Sequence, residues 1–208
     1  MNAAELVTQL SQTGAIFAQR GWLRGTSGNL SATIDFDPLR LVITASGQDK
    51  GSLGPYSFVE VDENGRHLKG TGHPSAETAL HTTIVRRTRA GSVLHVHSVW
   101  ATILSELHAA NQGISISGYE MLKGLSGIKT HAHTEWLPIL DNSQDYARLS
   151  SELDQLLAEQ PQIHGVLLRA HGLYTWGADI AEAQRHVEII EFLLEVLGQT
   201  RTLRNDLP

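Results

Sequence analysis

The chain has 208 residues, of which 41% are hydrophobic and 18% charged, and its formal net charge is −6. This length suits a single domain over residues 1–208 with a sizeable core, and the acidic balance disfavours nucleic acid and anionic membranes as partners. Cysteine is absent, so disulfides and thiolate metal sites are excluded. The sequence has no apolar run of membrane-spanning length and no signal-peptide pattern, which predicts a cytoplasmic protein.

Helical and extended patterns interleave along the chain. In chain order they predict a helix (3–22), a loop leading into a strand (25–35), a strand (40–47), a hairpin (58–70), a helix (75–89), a strand (92–98), a helix (99–109), a short strand (113–118), a helix (144–159), a strand–turn–strand (164–177) and a last helix after 179. Asp179 and Glu182 form a capping box for that helix. We therefore predict an α/β fold, a three-layer αβα sandwich around a mixed, largely antiparallel sheet.

Two histidines alternate in the apolar stretch "SVLHVHS", residues 92–98. His95 and His97 share one face of the predicted strand, and burying two uncompensated imidazoles there would be costly unless something binds them. A catalytic zinc uses three protein ligands and one open position. His171, at the tip of the strand–turn–strand, is the candidate third ligand, although an H-x-H pair alone is also typical of ordinary sheet surface.

Other histidines have structural interpretations. His131 and His133 in "THAHTE" repeat the H-x-H spacing, but the stretch is polar and is expected to be an exposed strand or loop. His81 lies one helical turn after Glu77 and is expected to hydrogen-bond it. His186 is expected on the polar side of the last helix.

Three segments rich in glycine and hydroxyl residues can bind an anion, because they point backbone N–H groups and hydroxyls into one concavity. They are "GTSGNLS" (25–31), "TASGQDKG" (44–51) and "GTGHPSAET" (70–78), in which Ser75 is expected to open a helix. Strand-connecting turns often have the same composition, so each segment alone is weak support for a phosphate site.

Together these residues resemble the class II aldolase/adducin superfamily over nearly the whole chain, from "GTSGNLS" through "ITASG", "HPSAETALH" and "SVLHVHS" to "VLLRAHGLYTWG". The resemblance implies one zinc ion per subunit held by His95, His97 and His171, and a homotetramer with active sites near subunit boundaries. It also implies that the substrate is a sugar phosphate. Its predicted phosphate ligands are Ser27, Gly28, Asn29, Ser46, Gly47 and Ser75.

Within the superfamily, "YEMLKGL" (119–125) resembles the methylthioribulose-1-phosphate dehydratases of methionine salvage. The resemblance implies a β-elimination of water in which Glu120 takes the C3 proton of the substrate. Lys123 is expected to bind the substrate beside it. A partly desolvated Glu120 with a raised pKa would suit this role. The sequence is equally compatible with a solvated helix glutamate at 120 and a surface lysine at 123. Aldolases of the superfamily instead depend on the glutamate found here as Glu77, and this chain has both.

Two alternatives stay open at this point. A class II sugar-phosphate aldolase or 4-epimerase would use the same metal and break a different bond. A non-catalytic interaction module of the adducin type has no need of three histidines and a pocket glutamate. The identity of the metal and the residues around the methylthio group are not determined by the sequence.

Overall fold

The computed structural model describes residues 2–205. The helices are α1 Ala3–Gln19, α2 Thr78–Thr88, α3 Val99–Leu107, α4 Tyr146–Glu159 and α5 Ile180–Asn205. The strands are β1 Asn29–Phe36, β2 Leu39–Thr44, β3 Phe58–Asp62, β4 His67–Gly70, β5 Ser92–Val96, β6 Gly113–Ser117, β7 Thr134–Leu140, β8 Gly165–Leu168 and β9 Gly172–Gly177. None of the helices in this part of the chain is long and apolar enough to span a membrane.

The strands form one sheet in the order β4-β3-β2-β1-β5-β9-β8-β7-β6. Among the paired strands described, β7 and β8 run parallel and the other neighbours run antiparallel. The β3–β4 hairpin turns at the predicted position, where Gly65 has a positive φ of 74°. The predicted mixed, largely antiparallel sheet is confirmed.

Helices cover both faces of the sheet. One core cluster packs apolar residues of α1, α3 and α5 against it, including Leu10, Leu104 and Leu193. A second cluster on the other face packs α2 and α4 through residues such as Ile84 and Leu153. Each helix buries one apolar stripe, so two helical layers enclose the sheet. This arrangement confirms the three-layer αβα sandwich.

Local signals set several helix ends. Asn2 and Glu5 form a reciprocal capping box at the start of α1. At α5 the Asp179 side chain accepts the Glu182 N–H at 2.8 Å, whereas the Glu182 carboxylate accepts the N–H of Ala178 instead of closing the box. Asp179 is therefore the N-cap, as predicted. The capping box is incomplete, because Glu182 accepts the N–H of the residue before the N-cap and not that of the N-cap itself.

The predicted start of one helix was wrong, and one strand was missed. Helix α2 begins at Thr78, not at Ser75, because the Ser75 carbonyl accepts the Thr78 N–H in a turn and its hydroxyl accepts the Glu77 N–H. Strand β7 was not predicted, because Pro138 interrupts an otherwise apolar run and disfavours a strand. Pro138 pairs with Gly113 of the edge strand β6.

Candidate functional site

The site begins at the carboxyl end of β5. His95 is the last but one residue of this strand, His97 follows it, and β5 lies beside β9 with His95 opposite Tyr174. The turn between β8 and β9 carries His171 to the same place. The three Nε2 atoms lie 2.8 Å (His95–His97), 3.0 Å (His97–His171) and 3.4 Å (His95–His171) apart. The structure thus brings together the three histidines predicted as metal ligands.

Hydrogen bonds orient two of these rings. His95 Nδ1 lies 3.0 Å from the Leu173 carbonyl oxygen, so this nitrogen carries the proton and donates it. His171 Nδ1 lies 3.3 Å from Asn142 Oδ1. In each ring the Nε2 lone pair is left free and directed at the centre of the triad, which is the arrangement that supporting hydrogen bonds give to metal-binding imidazoles.

The triad is held neutral. Burial lowers the pKa of His97 to about 4, with further contributions from His171 and Lys50. Burial first and the neighbouring imidazoles second hold the pKa of His95 well below its usual value, and burial also lowers that of His171. Neutral imidazoles are the form that binds metals.

The geometry fits a divalent transition metal. Around a tetrahedral ion with metal–nitrogen bonds of about 2.0–2.1 Å, the ligand nitrogens lie roughly 3.3 Å apart, close to the spacing of the triad. Three imidazoles are a donor set that zinc accepts readily. His95, His97 and His171 are also the three described residues whose ligand atoms converge in this way.

A tight turn places His171. Ala170 has a positive φ of 51°, and Gly172 follows with its backbone pressed against β5. A Cβ added at Gly172 would lie 2.2 Å from the Val96 carbonyl oxygen and 3.1–3.2 Å from ring atoms of His95 and His97. Only glycine allows this close approach, so the "HG" dipeptide has a physical reason in the fold.

Glu77 faces the triad with one carboxylate oxygen. Oε1 lies 3.2 Å from His171 Nε2 and 3.7 Å from His95 Nε2. Its other oxygen, Oε2, accepts a 2.5 Å hydrogen bond from Asn29 Nδ2. Glu77 is 9% exposed, and these contacts fix its carboxylate at the end of the cavity that faces the triad.

The predicted contact between His81 and Glu77 was wrong. His81 is fully buried, and its Nε2 bonds Asn29 Oδ1 while its Nδ1 accepts from the Ser31 hydroxyl at 2.7 Å. Burial lowers its pKa to about 3, so the ring is neutral and Nε2 is the donor. The chain of hydrogen bonds from Ser31 through His81 and Asn29 thereby orients Glu77 from behind.

A cavity of about 150 Å³ opens beside the triad and is lined by residues of the three loops that were predicted to bind phosphate. Its lining residues are Thr26, Ser27, Gly28, Asn29, Thr44, Ala45, Ser46, Gly47, Lys50, Ser75, Glu77 and His97. All six predicted phosphate ligands are among them. Gly28 and Gly47 both have positive φ, and Gly28 packs so closely against the His95 carbonyl that a Cβ would clash at 2.5 Å.

Lys50 and Tyr174 belong to this site and were not predicted. Lys50 follows the "TASG" loop and is 2% exposed; its position in the "TASGQDKG" segment was the available signal. The Tyr174 ring stacks on His95 with centroids 3.8 Å apart and planes 10° apart. Burial, and secondarily the charge of Glu77, raise the pKa of Tyr174 well above its usual value. Nothing in the sequence distinguishes this tyrosine from an ordinary core residue.

Glu120 and Lys123 lie outside the cavity. They sit on a short 3-10 helix, Glu120–Gly124, and form an ion pair with each other. The Glu120 side chain is 69% exposed, and His131 Nδ1 lies 3.6 Å from its Oε2. The hydrogen bond and charge of Lys123 lower the pKa of Glu120. The expectation of a partly desolvated carboxyl with a raised pKa was therefore wrong for this protomer.

A second histidine cluster lies at the opposite end of the β5–β9 pair. His164 donates from Nδ1 to Glu135 and from Nε2 to the Ser126 carbonyl, at 3.0 and 2.8 Å, so it is an imidazolium. His133 Nε2 lies 2.9 Å from the same carboxylate. His186 is 3% exposed and bonds the Trp176 carbonyl, so its predicted place on the polar face of α5 was wrong. His131 is exposed as predicted.

Residues 8–197 match the sequence profile of the family described as class II aldolase and adducin N-terminal domain. The methylthioribulose-1-phosphate dehydratase of Sorangium cellulosum is 43% identical over 195 residues, which cover 92% of this chain and 91% of that protein. The dehydratase of the same name from Marinobacter nauticus is 41% identical over 202 residues, 97% and 96% of the two chains. The crystal structure of L-fuculose-1-phosphate aldolase from Thermus thermophilus has the same fold, with a TM-score of 0.75 at 24% identity over 97% of this chain and 98% of that one.

Proposed function

The chain belongs to the class II aldolase and adducin N-terminal domain family, and we propose that it dehydrates 5-methylthioribulose 1-phosphate to 2,3-diketo-5-methylthiopentyl 1-phosphate in methionine salvage. The relatives named as this dehydratase match it over more than nine tenths of their length. The observation that carries the proposal is the convergence of three imidazoles and one carboxylate beside a cavity lined by three loops rich in glycine and hydroxyl residues.

Zinc, one ion per subunit, is the proposed cofactor, with His95, His97 and His171 as its ligands. When bound there, it would supply a Lewis acid that stabilises negative charge developing on a substrate oxygen. The protein keeps the three rings neutral and aimed at one point, and Gly172 keeps them close together. The Asn29 amide holds Glu77 in place, so that its Oε1 can accept a proton from a substrate hydroxyl beside the triad.

The elimination removes a proton from C3 and a hydroxide from C4. Glu120 is the proposed base that takes the C3 proton and returns a proton to the leaving hydroxyl, and Lys123 is proposed to contact substrate beside it. The Glu120 carboxylate is exposed on its own protomer. We therefore propose that it acts at a subunit boundary of the homotetramer that the family resemblance implies.

Phosphate binding is proposed for the three loops that meet in the cavity. Ser27, Gly28 and Asn29 come from the first loop, Ser46 and Gly47 from the second, and Ser75 from the third. Holding the phosphate there fixes the register of the sugar, so that C2 and C3 lie near the histidines.

One observation favours a second candidate, a sugar-phosphate aldolase or 4-epimerase. Glu77, on which aldolases of the family depend, lies beside the triad, whereas Glu120 is exposed. An aldolase breaks C3–C4 and yields two fragments, while a dehydratase keeps the carbon skeleton. A non-catalytic module of the adducin type would bind no stoichiometric metal.

Turnover of methylthioribulose 1-phosphate, followed by mass analysis of the product, tests the proposal. We expect a single product lighter by one water, and stoichiometric zinc in the purified protein. Glu120→Gln should lower kcat by at least about 100-fold with fold and zinc content unchanged. Glu159→Gln, which removes an exposed α4 carboxylate, is the control. Two fragments from the substrate, or normal turnover by Glu120→Gln, would contradict the proposed reaction or the proposed base.

Three further features stay predictions: a cytoplasmic location, a homotetramer and a single domain over residues 1–208. Size-exclusion chromatography with light scattering checks the second of these, and a tetramer is the expected result.

A further inference from the structure

The cavity beside the triad is lined by one lysine and by no arginine. Among its lining residues, Lys50 is the sole lysine or arginine, and it is 2% exposed. Fully buried lysines are rare in proteins unless they are paired with an anion. Among the described residues no carboxylate forms an ion pair with this ammonium. The charges of Glu77 and Asp49 favour its protonated form from a distance, but Asp49 caps the backbone of Gly51 and Glu77 is held by Asn29.

The donors around Lys50 are incompletely used. Its ammonium has three N–H groups, and among the described residues it has one hydrogen-bond acceptor, the Thr26 carbonyl at 2.5 Å. The neighbouring Ser27 hydroxyl is buried and has no partner in the described part of the chain. A cation and a hydroxyl therefore face the same cavity with donor capacity to spare, which is what an anionic, oxygen-rich ligand requires.

The backbone that carries Lys50 is fixed. Residues Lys50–Ser52 form a short 3-10 helix, and the Lys50 carbonyl oxygen packs on α1 at Gly14, only 2.7 Å from where a Cβ would stand. Gly14 is thus the residue that lets this segment lie against α1. Packing on α1 holds the backbone of Lys50, and the Thr26 carbonyl holds its ammonium.

We propose that Lys50, together with the Ser27 hydroxyl, forms the cationic anchor for the substrate phosphate and so selects phosphorylated over unphosphorylated sugars. The inference rests on the proposed function, in which the substrate is a sugar phosphate. It adds a charge to a subsite otherwise made of hydroxyls and backbone amides. The cavity, at about 150 Å³, has the liquid volume of about five waters, enough for a phosphate group and not for the whole sugar.

The competing interpretation is that Lys50 is a structural strut for the Thr26 carbonyl. Two variants separate the interpretations, since Lys50→Gln keeps an N–H donor without the charge and Lys50→Arg keeps both. Lys69→Met is the matched control, because it removes an exposed lysine of β4 that pairs with Glu60. Circular dichroism and zinc content verify that each variant is folded and loaded.

The first measurement is calorimetric titration of the purified, metal-loaded protein with inorganic phosphate. We expect Lys50→Gln to weaken phosphate binding at least tenfold, which corresponds to 1.4 kcal/mol. Lys50→Arg should bind several-fold more tightly than Lys50→Gln, and Lys69→Met should bind like the wild type. A strut predicts wild-type affinity for Lys50→Gln. That result, equal affinities of the Gln and Arg variants, or wild-type protein that binds no phosphate would overturn the proposal.

The second measurement is steady-state turnover of methylthioribulose 1-phosphate. Lys50→Gln should raise KM at least tenfold and change kcat by less than about threefold, because the phosphate lies away from the reacting carbons. An unchanged KM with normal turnover refutes the role of Lys50 and leaves the dehydratase intact. Phosphate binding that depends on Lys50 in a protein unable to dehydrate this substrate refutes the proposed function and leaves the anion site in place.

Discussion

Glu191 on α5 is a buried carboxyl whose removal should stabilise the protein. It is 3% exposed, and its Oε1 has no hydrogen-bond partner among the described residues. Burial, assisted by the charge of Glu195 and opposed by a hydrogen bond from Ser98, raises its pKa from 4.5 to about 8. The folded protein therefore keeps Glu191 protonated at pH 7, where the unfolded chain ionises it.

The sign of the pH effect follows from proton binding. Between pH 4.5 and 8 the native state binds more protons at this residue than the unfolded state, so the free energy of unfolding falls as pH rises. At 1.36 kcal/mol per pH unit, the cost is about 3 kcal/mol at pH 7 and approaches 5 kcal/mol above pH 8. Glu191→Gln keeps the shape of the side chain and removes this dependence.

Urea unfolding followed by tryptophan fluorescence at pH 5 and pH 7 measures the effect, at one fixed protein concentration because the protein is a predicted oligomer. The stability of Glu191→Gln relative to the wild type should increase by about 2.5 kcal/mol between these two pH values. Glu159→Gln, which removes an exposed carboxylate at the end of α4, should show no such change. A difference between Glu191→Gln and the wild type that is the same at pH 5 and pH 7 would refute the reasoning.

Three further predictions concern the metal centre and the second histidine cluster. His97→Ala should lose stoichiometric zinc, measured by elemental analysis, while circular dichroism stays native. Gly172→Ala should destabilise the protein by about 1–3 kcal/mol, because its Cβ meets the Val96 carbonyl, whereas Gly54→Ala, in open space, should not. Burial disfavours the charge on His164, but Glu135 outweighs it and raises its pKa. The stabilisation that charged His164 gives the folded protein is therefore full below pH 6.5 and is lost as pH rises through its raised pKa. His164→Gln should remove this loss from the pH dependence of the free energy of unfolding.

The alternation in "SVLHVHS" was enough to predict that two imidazoles share one face, because a strand repeats every two residues wherever it lies. The third imidazole depended on the turn at Gly172, where glycine also indicates a close backbone approach. The same reasoning located by composition the three loops that line the cavity. These parts of the site were accessible because each depends on local backbone geometry.

Other parts depend on packing between distant segments and had no local pattern. The link between His81 and Asn29 spans 52 residues, and helical spacing pointed to Glu77 instead. Burial of His186 on α5 and the stacking of Tyr174 on His95 follow from how α5 and β9 meet the sheet. For Glu120, sequence position could not tell whether the carboxyl is desolvated, and the structure shows it exposed and paired with Lys123.

The three imidazoles are carried by β5, by the residue directly after it and by the turn into β9, and these two strands are joined rung by rung through backbone hydrogen bonds. The pairing of β5 with β9 therefore sets the positions of the three imidazoles, with or without an ion. Residues 118–133, which carry Glu120, connect β6 to β7 and belong to neither β5 nor β9. We therefore expect a change in that segment to leave the positions of the three imidazoles unchanged.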